Sequence, residues 1–428
     1  MPANLKFYMT EGHNRFIEKQ DNPLEEFPLF SKFVRLRELG LMKNISLSSY
    51  LDKTNDTVIV YKLNIATMFT DNDQTPPERS TNMEIWIDKI IKENPDVSKI
   101  IFEFSYIEYY NEKYHNIMIN IMSKYPNIRW LLFTCNAQII NKDPYRVIFW
   151  DDKPHSYCLS PENVNFIRDL ATKSQFKKQN RFYFLNHHPK LNRWRVVKFM
   201  FENGFDKLGK ISFPDLNIFP INETANMYNS SYEIEYMYNH PFSKNFPLLI
   251  DSIADTVVER ADTDFQKMMY DRAKKNQIYT LRQVGFHTSN IILQISSYFE
   301  IFIETFFGVT DRTWVSEKTW KPLATFTPFC GINSDGYYQF LEKEGFSFKS
   351  NFYCNEYENN LRHIDLFNQK DFVLYSLMNK IKELCELNDD DIHELYFSSL
   401  NEIINNTEHY HYRFVPEMTL KPFKFIAD

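Results

Sequence analysis

Glycine is scarce: nine residues in a chain of 428. Neither G-x-G-x-x-G nor G-x-x-x-x-G-K-[ST] occurs, so a phosphate loop built on bare glycine backbone is excluded. Cysteine is also sparse, with Cys135, Cys158, Cys330, Cys354 and Cys385 odd in number, widely spaced and free of any C-x-x-C. Reduced thiols are therefore expected, rather than a disulfide framework or a zinc site. No stretch approaches the roughly 18 continuous apolar residues of a membrane span. The opening MPANLKFYMTEGHNRF lacks an apolar signal core, so a cytoplasmic chain with no membrane partner is expected. Excess positive charge is absent too. A net charge of −7 argues against a protein that coats nucleic acid along its whole surface, while leaving a local basic groove open.

What the chain does hold is apolar and aromatic material. Hydrophobic residues make up 43% and aromatics 17%, with 39 Phe and 26 Tyr, enough to build cores and to argue against long disordered regions. The length predicts two domains. Residues 57–63, 99–106, 129–135 and 146–150 read as strands, and 82–95 and 109–125 as helices with an apolar face at i, i+3, i+4 spacing. Ser160-Pro161-Glu162 marks a helix start. In the second half 181–186, 297–305 and 328–332 read as strands, and 192–204 and 335–345 as helices closed by Gly204 and Gly345. Beyond 371 the pattern turns helical, with 371–387 amphipathic and a further helix N-capped by Asp391. The predicted class is α/β, with two Rossmann-like domains and a helical C-terminal tail: 1–172, a polar basic linker 173–180, 181–370, and 371–428.

Chemistry concentrates in two stretches. Residues 171–210 carry ten basic side chains against Glu202 and Asp206. Within them Lys190 and Arg193 stand where strand becomes helix, a position at which free N–H groups add to the cation's attraction for a diphosphate. The linker lysines read as a solvated face. The second stretch is TWVSEKTWKPLATFTPFCG, 313–331, whose Glu317–Lys318 pair comes about a dozen residues after the strand 297–305 that runs into Glu304. Ser316 precedes Glu317 and Lys318 there. In an open α/β sheet ligands settle at the carboxyl ends of strands, where a carboxylate can take a ribose diol and a lysine a phosphate. An ordinary exposed Glu–Lys at a helix start explains the dipeptide equally well. Asp71-Asn-Asp73 and Asp262-Thr-Asp264 match the D-x-D of metal-dependent sugar transferases, but neither follows a strand, and caps or turns account for them. His187-His188 fit a turn. Glu108, just past the strand 99–106, is placed where a general base could face a cleft.

VSEKTWKPLATFTPF (315–329), with YYQFLEKEGFSF (337–348) behind it and FIET (302–305) ahead, resembles the motif of GT-B glycosyltransferases related to the α1,3-fucosyltransferases. It is still more similar to a set of phage and viral glycosyltransferase-like proteins. FLNHHPKLNRWR (184–195) is similar to their L-N-R-R-P-x-x-H-R segment: Asn186, Pro189 and Arg193 match, while His187, His188 and Asn192 stand where Arg, Arg and His are usual. The resemblance spans about 181–350. It implies a GT-B-like pair of domains, with the nucleotide-sugar donor on the C-terminal side and the acceptor on the N-terminal side. It implies Glu317 on the ribose, Lys318 and Arg193 on the diphosphate, and Asn186, Lys190, Glu304 and Ser316 around them. No metal and no resident cofactor are expected. The co-substrate would be a UDP- or GDP-linked sugar, and the reaction an inverting displacement with a carboxylate base, for which Glu108 is the candidate. The acceptor implied is a glycan hydroxyl or the hydroxymethylated base of phage DNA. The abundance of Asn, Lys, Ile, Phe and Tyr fits an AT-rich viral genome and hence a host cytoplasm. A catalytically silent nucleotide- or glycan-binding protein on the same fold is the alternative.

Overall fold

Runs of β-branched and aromatic residues set the strands of the first unit, because such side chains suit a pleated surface buried on both faces. The structure is a computed structural model. It describes residues 4–11, 15–18, 27–54, 56–64, 76–105, 112–150, 153–173, 177–186, 190–213, 235–237, 239–245, 291–304, 313–361, 364 and 366–428. The chain divides into two compact units. One comprises Met1–Pro161, Val309–Val315 and Tyr410–Asp428, the other Glu162–Gly308 and Ser316–His409.

In the first unit, β1 (Asn4–Glu11), β2 (Arg15–Glu18), β3 (Thr57–Asn64), β4 (Val97–Ser105), β5 (Arg129–Thr134) and β6 (Val147–Phe149) form one sheet in the order β2-β1-β3-β4-β5-β6. All neighbours are parallel except β1 and β2. Register places Tyr8, Tyr61, Phe102, Leu132 and Val147 in one row across the sheet. That row shares a core with Ile87 and Ile90 of helix Pro76–Glu93 and with Met118, Ile121 and Met122 of helix Glu112–Ser123; all but Met118 lie on the faces read from spacing. The opposite row, Phe7, Val60, Ile101 and Leu131, lies on the other side. There Phe7 meets Phe27 and Phe30, and Phe30 and Phe33 meet Phe423, at ring separations of 4.9 to 5.5 Å. Phe423 belongs to helix Val415–Ala427. Buried Lys99 donates to Ile426 O at 2.8 Å and pairs with Asp56 at 2.7 Å.

The C-terminal residues therefore do not form a separate tail. Helix Val415–Ala427 completes the first unit, while helices Leu366–Glu386, Asp389–Ser398 and Leu400–His409 belong to the second. Helix Pro161–Ala171 also joins the second unit, ahead of the expected linker 173–180.

The second unit holds β7 (Asn180–Leu185), β8 (Lys210–Ser212), β9 (Ser297–Ile303) and β10 (Phe329–Ile332), all parallel, in the order β10-β9-β7-β8. The chain adds β8 on one side of β7 and then returns to add β9 and β10 on the other. The winding direction thus reverses between β7 and β9, and the carboxyl ends of those two strands border the kind of crevice in which open sheets bind ligands. Helix Leu191–Glu202 follows β7 and is closed by Gly204 at φ 73°, and Gly345, after helix Tyr337–Lys343, has φ 98°. Buried Arg181 donates to Cys385 O at 2.5 Å and Leu387 O at 2.7 Å, and pairs with Asp389 at 2.7 Å. It thereby anchors the end of helix Leu366–Glu386.

One expected cap is corrected. The side chain of Asn388, not Asp391, accepts the N–H groups of Asp390 and Asp391 at 2.9 and 2.8 Å, and the three aspartates fill the first turn. The backbone decides this, being extended at Asn388 and helical after it. The architecture is mixed α/β with two largely parallel sheets, consistent with two Rossmann-like domains. The five cysteines are buried and none is in a disulfide. No helix among the described residues is long and apolar enough to cross a membrane.

Candidate functional site

β7 ends at Leu185 beside Ser212 of β8, and the next residue, Asn186, locks the two strand ends together. Its backbone N–H donates to Ser212 Oγ and its Nδ2 to Ser212 O, each at 3.0 Å. Those bonds fix which way the amide points and leave its buried Oδ1 without a hydrogen-bond partner. Lys190 then sits in extended conformation as the residue before helix Leu191–Glu202, with no side-chain cap bond. Arg193, in the first turn, reaches across to the neighbouring strand and donates from Nη2 to Ile303 O at 3.3 Å. The helix start is thus tied to the end of β9, and Lys190 and Arg193 are both buried.

Glu304 follows directly on β9 and is 1% exposed. Its carboxylate accepts the hydroxyl of Ser316 at 2.6 and 2.7 Å and the Ser316 backbone N–H at 3.2 Å. Ser316 is in turn the N-cap of helix Glu317–Leu323, its oxygen accepting from Lys318 N at 3.3 Å. The Lys318 ammonium lies 3.5 Å from Glu304 and 3.1 Å from Glu317. Glu304 therefore positions the Ser316–Lys318 segment against the end of β9. Its oxygens and the Ser316 hydroxyl are engaged with each other, and Glu317, Lys318, Arg193 and Lys190 are the charged side chains gathered beside them.

Sequence reading overlooked two charges here. Glu300 sits in the middle of β9 opposite Tyr183 of β7, whose hydroxyl donates to it. Burial pushes its carboxyl up to about 8, against the opposing pull of Lys321, the Tyr183 bond and Lys318. Lys321, one turn beyond Glu317, lies among Glu317, Glu300, Lys318 and Glu304. Both were findable: an acid inside SYFEIFI is anomalous for a buried strand, and i, i+4 spacing places Lys321 beside Glu317 on a helix. Burial lowers the Lys190 ammonium to about 6, helped by Arg193 and Lys318 and opposed by Glu304. Buried charges of both signs, gathered along and beyond two adjacent strands, are costly to a fold and make this cluster the candidate site.

Seven of the eight sequence-predicted residues, Asn186, Lys190, Arg193, Glu304, Ser316, Glu317 and Lys318, lie at or just beyond the carboxyl ends of β7 and β9, all within the second unit. The eighth, Glu108, lies outside the described residues, as do His187, His188 and Pro189 and both D-x-D segments. Among the described residues, no group of His, Cys, Asp and Glu is arranged to hold a metal ion. No protein-family model matches the chain, and none of the curated proteins matches it significantly.

Proposed function

We propose that the protein is a glycosyltransferase whose donor, a nucleotide-diphosphate sugar, binds at the carboxyl ends of β7 and β9. The observation that carries this reading is the convergence of Arg193, Lys190, Lys318 and Glu317 at the point where strand order reverses in the second sheet. In a GT-B-like arrangement the second unit holds the nucleotide and the first faces the acceptor. Glu317 accepts the ribose hydroxyl protons, a role that its carboxylate can fill and a donor-only cation cannot. Arg193 and Lys318 meet the diphosphate, and the negative charge that grows on it as the glycosidic bond breaks is stabilised in place by cations already held there. Glu304 and Ser316 serve this indirectly, by fixing where Lys318 points. An inverting displacement requires a base on the acceptor hydroxyl, and Glu108 is the residue put forward for it. The acceptor is a glycan or a hydroxymethylated base; a base in duplex DNA must first be flipped out of the stack.

A thermal-shift panel of UDP, GDP, CDP and their sugars against wild type and Glu317→Ala tests the proposal. A ligand at a hundredfold excess over its Kd adds about 2.7 kcal/mol, or roughly 5–10 °C in a unit of this size. One nucleotide should stabilise the wild type and lose most of that effect in the variant. Equal shifts in both proteins would remove Glu317 from the ribose. Binding without transfer or hydrolysis of any donor would favour a silent nucleotide-binding module.

A further inference from the structure

A side-chain amide carries donors on its nitrogen and lone pairs on its oxygen, and at Asn186 the fold uses only the nitrogen. The residue is 3% exposed. Its Nδ2 donates to Ser212 O at 3.0 Å. A carbonyl oxygen can only accept, so this bond fixes which end of the amide is which. Turning the group over would set two oxygens face to face. The backbone N–H of the same residue, bonded to Ser212 Oγ at 3.0 Å, pins it further. Oδ1 is thereby turned away from the Ser212 carbonyl, and among the described residues it has no hydrogen-bond partner. A buried acceptor left empty is costly to a fold and calls for an explanation.

The place of that oxygen in the sheet says what it meets. The strand order is β10-β9-β7-β8. Glu317 and Lys318 are tied through Ser316 to Glu304 at the end of β9. Arg193 reaches Ile303 O from the helix that follows β7, and Asn186 is joined to β8. Across the sheet the order is therefore Glu317 and Lys318, then Arg193, then Asn186, over about two strand spacings of roughly 4.8 Å each. With the ribose on Glu317 and the diphosphate on Lys318 and Arg193, the next group along the donor is its sugar, and the base extends the other way. The phosphates are diesters with no proton to give near neutrality, so they cannot satisfy Oδ1; a sugar hydroxyl can.

We propose that Asn186 Oδ1 accepts a hydrogen bond from one hydroxyl of the transferred sugar and so helps to set which sugars the site takes. This inference rests on the nucleotide-sugar reading above and adds the part of the donor that the β8 side of the crevice reads. A sugar that lacks this hydroxyl leaves the oxygen unpaired in the complex as well, and is discriminated against for that reason.

Equilibrium titrations of the full chain compare three kinds of ligand: the UDP-, GDP- or CDP-linked sugar that gives the largest thermal shift, its monodeoxy-sugar analogues, and the parent nucleoside diphosphate. In wild type, removing one particular hydroxyl should weaken binding by about 3- to 10-fold. In Asn186→Leu that step should vanish, intact and deoxy donor binding within about twofold of each other. Asn186→Ala serves where the leucine variant does not fold. The nucleoside diphosphate separates the sugar contact from the bond to Ser212: a disturbed strand end weakens every ligand alike, whereas a lost sugar contact lowers donor affinity relative to the diphosphate. Equal weakening of all three ligands with the deoxy step intact overturns the inference, confines Asn186 to holding β7 to β8, and leaves the nucleotide-sugar reading standing. Wild type that binds the intact donor and every deoxy analogue alike also overturns it, without recourse to a variant. Failure of every nucleotide sugar to bind overturns both.

Discussion

Removing the Glu304 carboxylate should release the segment that carries Glu317 and Lys318. Three interactions are lost together in Glu304→Ala: the Ser316 hydroxyl bond at 2.6 Å, the Ser316 N–H bond at 3.2 Å and the Lys318 contact at 3.5 Å. The gross Coulomb attraction across 3.5 Å is about 5 kcal/mol at an effective dielectric of about 20. Desolvation cancels much of that, and breaking a buried pair costs about 3–5 kcal/mol when its partner is stranded. Lys318 is not stranded: it keeps Glu317 at 3.1 Å and 17% side-chain exposure. The expected loss is therefore about 2–4 kcal/mol. Ser316→Ala removes the helix cap and the hydroxyl bond to Glu304, for about 1.5–2.5 kcal/mol. Both variants delete the same hydroxyl–carboxylate bond, so the double variant should be less destabilised than the sum by about 1–2 kcal/mol. Urea unfolding of the four full-length proteins, followed by tryptophan fluorescence, measures the cycle, since Trp320 is buried within the same helix. Additivity within about 0.3 kcal/mol would refute the positioning role of Glu304.

Three further outcomes follow from the same geometry. Glu300 has its carboxyl raised from 4.5 to about 8 by burial, so the native state holds its proton after the unfolded chain has lost it. Its contribution is fully present below about pH 4.5 and lost as pH rises through 8; Glu300→Gln should match wild type at pH 4 and exceed it in stability at pH 9, in paired urea titrations. Lys190 has the opposite sign: lowered from 10.5 to about 6, it costs stability below pH 6, and that cost falls by up to about 1.4 kcal/mol per pH unit above it. The gain from Lys190→Met should accordingly be largest at pH 6 and shrink toward pH 10. Gly331 faces Phe302 in register, and an added Cβ would lie 2.3 Å from its ring; Gly331→Ala should lose about 1–3 kcal/mol by overpacking, read as a lower thermal midpoint.

Most of the central strands were legible because their runs of Val, Ile, Phe and Tyr leave little choice but burial on both faces. β1, β2 and helix Pro28–Glu38 were not. The apolar positions Phe30, Phe33 and Leu36 declare a core-facing helix only once Phe423, nearly four hundred residues later, supplies the ring that Phe30 and Phe33 meet. β8 is three residues at a sheet edge, too short for any period to register. At Asn388-Asp-Asp-Asp391 four side chains could each cap a helix, and composition alone does not choose between them. In the site, spacing and helix-start chemistry brought forward Lys190, Arg193, Glu317 and Lys318. The role of Glu304 depended on a tertiary bond to Ser316, twelve residues on, and no local pattern encodes such a bond. Glu300 and Lys321 were passed over although both left a signal, an acid inside the apolar strand SYFEIFI and an i, i+4 spacing from Glu317.

The most direct test of the central claim is an equilibrium titration of the preferred nucleotide-diphosphate sugar into wild type and Lys318→Met, with the ligand-free thermal midpoints measured alongside. If the carboxyl ends of β7 and β9 hold the donor diphosphate, Lys318→Met loses a charge-assisted contact of about 1.5–3 kcal/mol. Its Kd should then rise by roughly tenfold or more; because the substitution also takes the ammonium at 3.5 Å from the buried Glu304 carboxylate, the ligand-free midpoint should fall as well, and affinities are compared below both midpoints. Equal affinity in the two proteins would contradict the placement of the donor at this crevice.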